Sequence, residues 1–344
     1  MRKIVGAIVG ILFGFVAASA FAETTWFNNN LNSWIMVSPA QLYQVQGNKV
    51  DANFQHVTGK TTDDVGATGK TESDLTTNVI SADGIYSVGT ELKTGVSAGM
   101  RMANVKSTEK TAVGSTDSKS DFKNTFLKPQ VAYQIHSVAS VGMAIEMDFD
   151  SVDTENSVKY DCTSYVVRPG ALYTMKNLEA GLVYQTQVDQ EVEVTINDQK
   201  QKFQVQKAGS AILHGRYALD QNMAFGTQLE QVMWGSLKTK NYTTGESTAT
   251  DKDQQIVRIF AEYGMNSLKT EGGYAYKTAY YKNKENMDSA NIGTMELSAA
   301  ADYSINKEAA VGGGLAYDFG SDKNGDEKYA TNDMTVQVRG KVAF

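Results

Sequence analysis

The chain has 344 residues, with 32 Lys and Arg against 39 Asp and Glu and a formal charge of −7. That balance excludes a nucleic-acid binder, which needs a cationic stripe, and a mean hydropathy of −0.34 excludes a bundle of transmembrane helices. One Cys and three His exclude a disulfide framework and a Cys/His zinc module, whereas 3 Pro against 30 Gly and 17 Tyr suit long, uninterrupted strands.

Residues 1–22 read as a signal peptide. Arg2 and Lys3 form the positive end, Ile4 to Val16 an uncharged apolar run, and Ala20-Phe21-Ala22 a small-residue cleavage site. The run is too short for the roughly 20 residues of a spanning helix. Residues 23–46 are then expected to form a hatch or plug. Trp26, Phe27, Leu31, Trp34, Ile35 and Met36 give this segment more apolar area than a free periplasmic tail carries. It either plugs the lumen or contacts a ligand, and Pro39 belongs to the same set of candidates.

From residue 47 to 344 the pattern alternates with period two. Val141, Met143, Ile145, Met147 and Phe149 fall on one face, with Glu146 and Asp148 on the other. Met334, Val336, Val338, Val342 and Phe344 alternate in the same way with Gln337, Arg339 and Lys341. A water-soluble sandwich also alternates, so three further features carry the decision. First, a tyrosine recurs just before a short polar turn at Tyr86, Tyr133, Tyr173, Tyr217, Tyr263 and Tyr303, as an interfacial aromatic girdle requires. Second, those short turns alternate with longer polar connections at 59–72, 107–120, 238–252 and 320–332, the asymmetry of periplasmic turns and extracellular loops. Third, the alternating last strand ends on Phe344, which resembles the signal by which bacterial barrels are handed to their assembly machinery.

The predicted fold class is therefore all-β, a transmembrane antiparallel β-barrel of about 14 strands in the outer membrane. The strands are placed near 48–58, 75–88, 93–105, 122–135, 138–150, 158–175, 178–196, 202–219, 222–237, 254–264, 268–282, 291–304, 308–319 and 333–344. Alternation points Arg101, Glu146, Asp148, Glu230, Arg258, Glu262, Lys277, Glu296, Asp302, Arg339 and Lys341 into the lumen. They are either a mutually paired interior or the lining of a polar-solute path.

Other motifs fail. Gly69-Lys70-Thr71 lacks the first glycine of a phosphate loop, and Asp322, Asn324 and Asp326 have calcium-loop spacing with Glu327 at the glycine position. Cys162 is a lone thiol, and His56, His136 and His214 lie on separate strands or turns with no nucleophile at a recognisable spacing. No cofactor, metal or catalytic residue is expected.

Ser38-Pro39-Ala40 followed by Gly47 to Phe54 resembles the Asn-Pro-Ala and first-strand pattern of the FadL/TodX family of outer-membrane transporters, with Ser38 in the place of Asn. The stretches Leu178–Tyr184, Asn222–Trp234, Val257–Tyr263 and Gly272–Tyr276 are similar to strands of that family. The resemblance implies fourteen strands around an N-terminal hatch and passive uptake of hydrophobic compounds such as long-chain fatty acids, which leave sideways into outer-membrane lipid. Gly95 and Gly99 in the third strand are the candidates for that lateral opening, because glycines weaken pairing and allow a bend. A porin for small polar solutes and a structural barrel remain as alternatives.

Overall fold

The computed structural model describes residues 38–44, 48–64, 70–111, 114–154, 158–186, 188–196, 199–207, 209–234, 239–240, 247–248, 250–283, 289–324 and 327–343. Residues 1–37 and Phe344 lie outside the described residues. The signal peptide, the terminal phenylalanine and the hatch candidates Trp26, Phe27, Trp34, Ile35 and Met36 are therefore not placed.

The strands are β1 (Lys49–Asp64), β2 (Lys70–Ser87), β3 (Leu92–Thr111), β4 (Gly114–His136), β5 (Ala139–Thr154) and β6 (Val158–Met175). Then come β7 (Leu178–Gln185, continued by Val188–Ile196), β8 (Gln199–Lys207, continued by Gly209–Ala218) and β9 (Met223–Trp234). The last are β10 (Thr250–Met265), β11 (Leu268–Asn283), β12 (Ser289–Ser304), β13 (Ala309–Asn324) and β14 (Glu327–Ala343). Each pairs antiparallel with its sequence neighbour, and β1 pairs with β14 from Asp51↔Ala343 to Asp64↔Ala330, so fourteen strands close on themselves. Closure leaves no edge, which is what lets a sheet cross a membrane whose core offers no water to an unpaired N–H or C=O.

The wall faces lipid with the expected side. Val141, Met143, Ile145 and Phe149 on β5, and Met334, Val336, Val338 and Val342 on β14, are exposed, while Ala144, Glu146 and Asp148 are buried toward the lumen. The six turn-proximal tyrosines are 40–59% exposed. Two residues beyond each of them an exposed Val88, Ile135, Met175, Leu219, Met265 or Ile305 adds an aliphatic ring below the girdle. The turns beneath are short. Lys176 and Asn266 open two-residue turns at φ 49° and 52°. Asp220 and Asn306 close longer ones by accepting backbone N–H bonds at 2.7–2.8 Å.

At the opposite end the structure corrects three of the four predicted loops. Segments 59–72, 107–120 and 320–332 are continuations of the hairpins, paired as far as Asp64↔Lys70, Thr111↔Gly114 and Asn324↔Glu327. Hydrophobic alternation stops where both faces meet water, so polar Thr-, Lys- and Asp-rich extensions read as loops although Thr suits a strand. The segment 238–252 is described only in part, with a small pairing of Thr239–Lys240 and Ser247–Thr248 before β10 begins.

Ile145 lies at the centre of the apolar face of β5, and Ser118 lies in the polar extension of β4. Ile145→Arg is expected to destabilise the barrel by about 2–4 kcal/mol and Ser118→Arg by about 0–1 kcal/mol. Reversible denaturant unfolding in lipid vesicles checks this, and equal costs at the two positions would contradict the membrane-spanning wall.

Candidate functional site

Among the described residues, one turn of chain before the barrel lies against the inner wall. Pro39–Gln44 forms a 3-10 turn in which Ser38, Ala40 and Leu42 are fully buried. Ser38 caps it. Its Oγ accepts the Ala40 N–H at 3.3 Å, its carbonyl accepts the Gln41 N–H at 3.0 Å, and its own N–H donates to Gln41 Oε1 at 3.0 Å. Ser and Asn are equally good caps, and Pro suits the first position of a helical turn because its missing N–H is not needed there.

The turn sits on the inner face of β3 to β6 because that wall has glycines beneath it. Gly142 and Gly170 are cross-strand partners on β5 and β6. A Cβ at Gly142 would lie 2.5 Å from the Ala40 nitrogen and 2.6 Å from the Pro39 carbonyl carbon, and one at Gly170 2.5 Å from Ser38 Oγ. Polar bonds hold the seat from several strands. Ser140 Oγ donates to the Ala40 carbonyl at 3.1 Å, and Gln41 Nε2 donates to Glu179 Oε1 at 3.1 Å. Lys93 Nζ donates to the Tyr43 carbonyl at 3.2 Å and also stands 5.1 Å from the centre of the Tyr43 ring.

Above the seat, charges gather in two arcs. On one side Glu146 receives Arg168 Nη1 at 3.1 Å, with Arg101 Nη2 and Lys128 Nζ each at 4.0 Å. Arg101 also stacks 4.6 Å from the Phe126 ring centre, and Asn124 Nδ2 bridges Asp148 and Asp150 at 3.2 and 2.6 Å. Four strands thus converge on one buried carboxylate. On the other side Arg216 holds Glu262 at 2.7 and 3.0 Å, Arg258 holds Glu230 at 3.4 Å, and Lys277 holds Glu296 at 2.5 Å and Asp318 at 3.1 Å. Buried charges in such a wall are tolerated because each is paired across strands.

The structure therefore brings Glu146 and Asp148 into one arc and Glu230, Arg258, Glu262 and Glu296 into the other. Arg339 pairs through its backbone with Gln55 and Gly312, and its side chain lies outside the described residues. Sequence reading missed Lys128 and Arg168. Both immediately precede a proline, Pro129 and Pro169, and both reach Glu146. Those two basic-Pro pairs inside strands were the available signal.

The third strand is not where the wall is interrupted. Gly95 pairs with Ile85 and Gln130, Gly99 pairs with Ser81 and Phe126, and both ladders run through without a break. These glycines serve the interior instead. A Cβ at Gly95 would come 3.1 Å from Leu42, and one at Gly99 2.7 Å from the Phe126 ring. The ladder is interrupted between β6 and β7, which pair at Val158–Cys162 with Ile196–Val192 and at Gly170–Met175 with Val183–Leu178. The two registers differ by one residue, a bulge, and Pro169 has no N–H to give. The Val167–Thr186 and Arg168–Gln185 bonds cross the gap.

A closed fourteen-stranded barrel with a lipid-facing band defines an integral outer-membrane protein. Among solved structures, a Pseudomonas aeruginosa FadL homologue superposes with a TM-score of 0.66 at 10% identity, covering 89% of this chain and 92% of that one. The toluene transporter TodX of P. putida gives 0.63 at 11% identity, covering 92% and 94%. The Ralstonia pickettii toluene transporter TbuX gives 0.63 at 11%, covering 90% and 92%. The fold is that of the FadL and TodX channels. No family model matches the sequence, and no curated protein matches it.

Glu146→Gln leaves three cations facing a neutral amide and is expected to cost about 3–5 kcal/mol, as breaking a buried pair does. Denaturant unfolding in vesicles measures it, and a loss comparable to that of a surface substitution would remove Glu146 from the centre of the arc.

Proposed function

We propose that this barrel is a channel for the passive uptake of hydrophobic compounds across the outer membrane, with long-chain fatty acids or comparable apolar molecules as substrates. The observation that carries the reading is the seat of Ser38–Gln44. The inner wall gives up side chains at Gly95, Gly142 and Gly170 to hold a capped turn, which supports an internal obstruction over a clear aqueous bore. Trp26, Phe27, Trp34, Ile35 and Met36 immediately precede that turn and are the proposed contacts for an apolar ligand, with Pro39 fixing the direction in which the chain leaves the seat. The interrupted ladder between β6 and β7 supports a sideways exit there, since fewer interstrand bonds need to part to admit a molecule into lipid. The named activities of similar structures, a toluene transporter and a FadL homologue, agree with this class of solute. The charged arcs favour a second reading, a porin for small polar solutes, whose path would run between Glu146 and Arg258.

The two readings part on the seat. Gly142→Leu drives a side chain into the Pro39–Ala40 backbone and is expected to unseat the turn, raising swelling of proteoliposomes in small sugars while heat-modifiable folding persists. Replacing Trp34 and Ile35 together by Ala is expected to reduce uptake of a labelled long-chain fatty acid without raising sugar entry. Rapid sugar entry in the unaltered protein, with no fatty-acid uptake, would establish the porin instead.

A further inference from the structure

The Ser38–Gln44 turn is tied to β7 through a carboxylate. Gln41 uses both ends of its amide, accepting the Ser38 N–H with Oε1 and donating from Nε2 to Glu179 Oε1 at 3.1 Å. Glu179 lies on the inner face of β7, two residues before Gly181, and His214 stands directly opposite Gly181 on β8. The imidazole lies flat on that glycine, where a Cβ would overlap Nε2 and come 2.6 Å from Cε1. Nε2 is buried and makes no hydrogen bond with Glu179 or any other described residue, although Glu179 is within electrostatic reach of the ring. The other charged groups around His214 are engaged with one another. Arg216, next on the inner face of β8 and opposite Glu179, holds Glu262 of β10, with Glu271 of β11 opposite Glu262. Gln228, opposite His214 on β9, donates to Glu230, which also receives Arg258.

We propose that His214 is a pH-sensing group that loosens the Ser38–Gln44 turn when it is protonated, by drawing Glu179 away from Gln41. The proposal rests on the reading of that turn as an internal obstruction and adds a control to it. A neutral imidazole leaves Glu179 to Gln41. Once protonated, the buried imidazolium needs an acceptor, because a buried charge without a partner is strongly disfavoured. Neither Glu179 oxygen bonds Nε2 in the seated arrangement, so the carboxylate has to swing along β7 toward Gly181, and Gln41 Nε2 loses its acceptor. The proton is therefore bound more tightly when the turn is released, and by linkage a falling pH favours release.

The test measures swelling of proteoliposomes in a small sugar at about pH 7.5 and about pH 5, which bracket the range in which histidine changes charge. The ratio of entry rates, acid over neutral, is expected to be roughly three-fold or more in the unaltered protein. In His214→Phe, which keeps a flat ring on Gly181 without the titrating group, the ratio is expected to lie within about 1.5-fold of unity. Glu179→Gln keeps an amide oxygen for Gln41 but removes the charge that pairs with an imidazolium, and is expected to flatten the ratio to the same extent. Should one variant fail to fold, as judged by heat-modifiable migration, the other decides. A ratio that stays high in either folded variant overturns the switch. So does a flat ratio in the unaltered protein when Gly142→Leu leaks sugar at both pH values. If Gly142→Leu does not leak, the obstruction reading itself fails and the switch with it.

Discussion

Everything in this barrel follows from the need to pair each backbone N–H and C=O of the wall inside a medium with no water. Closure of β1 on β14 meets that need for the sheet as a whole and removes the two edges at once. Period-two alternation is then forced, because successive residues of a closed wall face lipid and lumen in turn. The exceptions to complete pairing are few enough to be informative. Pro129 and Pro169 both lie in the wall on strands flanking β5, and in each case the residue before the proline sends a cation inward to Glu146. Where the ladder loses a bond, a charge cluster tied across four strands takes over part of its cohesion.

The interior follows a second rule, that space for the Ser38–Gln44 turn must be taken from the wall. Turn and wall cannot both have side chains at their contact, and here the wall gives way, with a glycine pair across β5 and β6 and a third glycine on β3. The same device recurs elsewhere for a different purpose. A Cβ at Gly226 would overlap the Phe260 ring and one at Gly181 the His214 ring, so glycines in this lumen mark where a neighbour lies flat on the sheet. In the third strand Gly95 and Gly99 likewise face inward, in ladders that remain whole.

What was legible in the sequence and what was not divides along the same line. Strand number, lipid face and tyrosine ring were legible because burial in lipid imposes a simple period on residues such as Met143, Ile145 and Val338. The polar hairpin extensions were hidden, since a strand with water on both faces has no hydrophobic period to show. The lumen charges could be oriented but not partnered. Alternation points Glu146 and Arg258 inward, yet the partners of Glu146 lie on β3, β4 and β6, at separations that no local spacing encodes. Ser38 was visible in the sequence only as the residue in the place of the family's Asn, and the capping chemistry that Ser and Asn share came from the structure.

A lumen lined by charges is compatible with an apolar solute only if the charges do not reorganise as it passes. An unpaired carboxylate or ammonium in the path would have to lose water to let a hydrocarbon by, at a cost of several kcal/mol per ion. Here the described ion pairs lie against the wall, linking strands around the barrel: Lys277 binds one carboxylate from each of β12 and β13, and Arg216 reaches past β9 to Glu262 on β10. Ions already bound to one another keep little water to lose. The polar interior then acts as a fixed frame that stabilises the cylinder. Under the proposed uptake function, what moves along it would be decided by two features of that frame, the glycine seat under the Ser38–Gln44 turn and the interrupted ladder between β6 and β7. If the barrel conducts as proposed, the ion pairs set its stability and the glycines of the seat its selectivity, so substitutions in the two groups should separate in unfolding and uptake measurements.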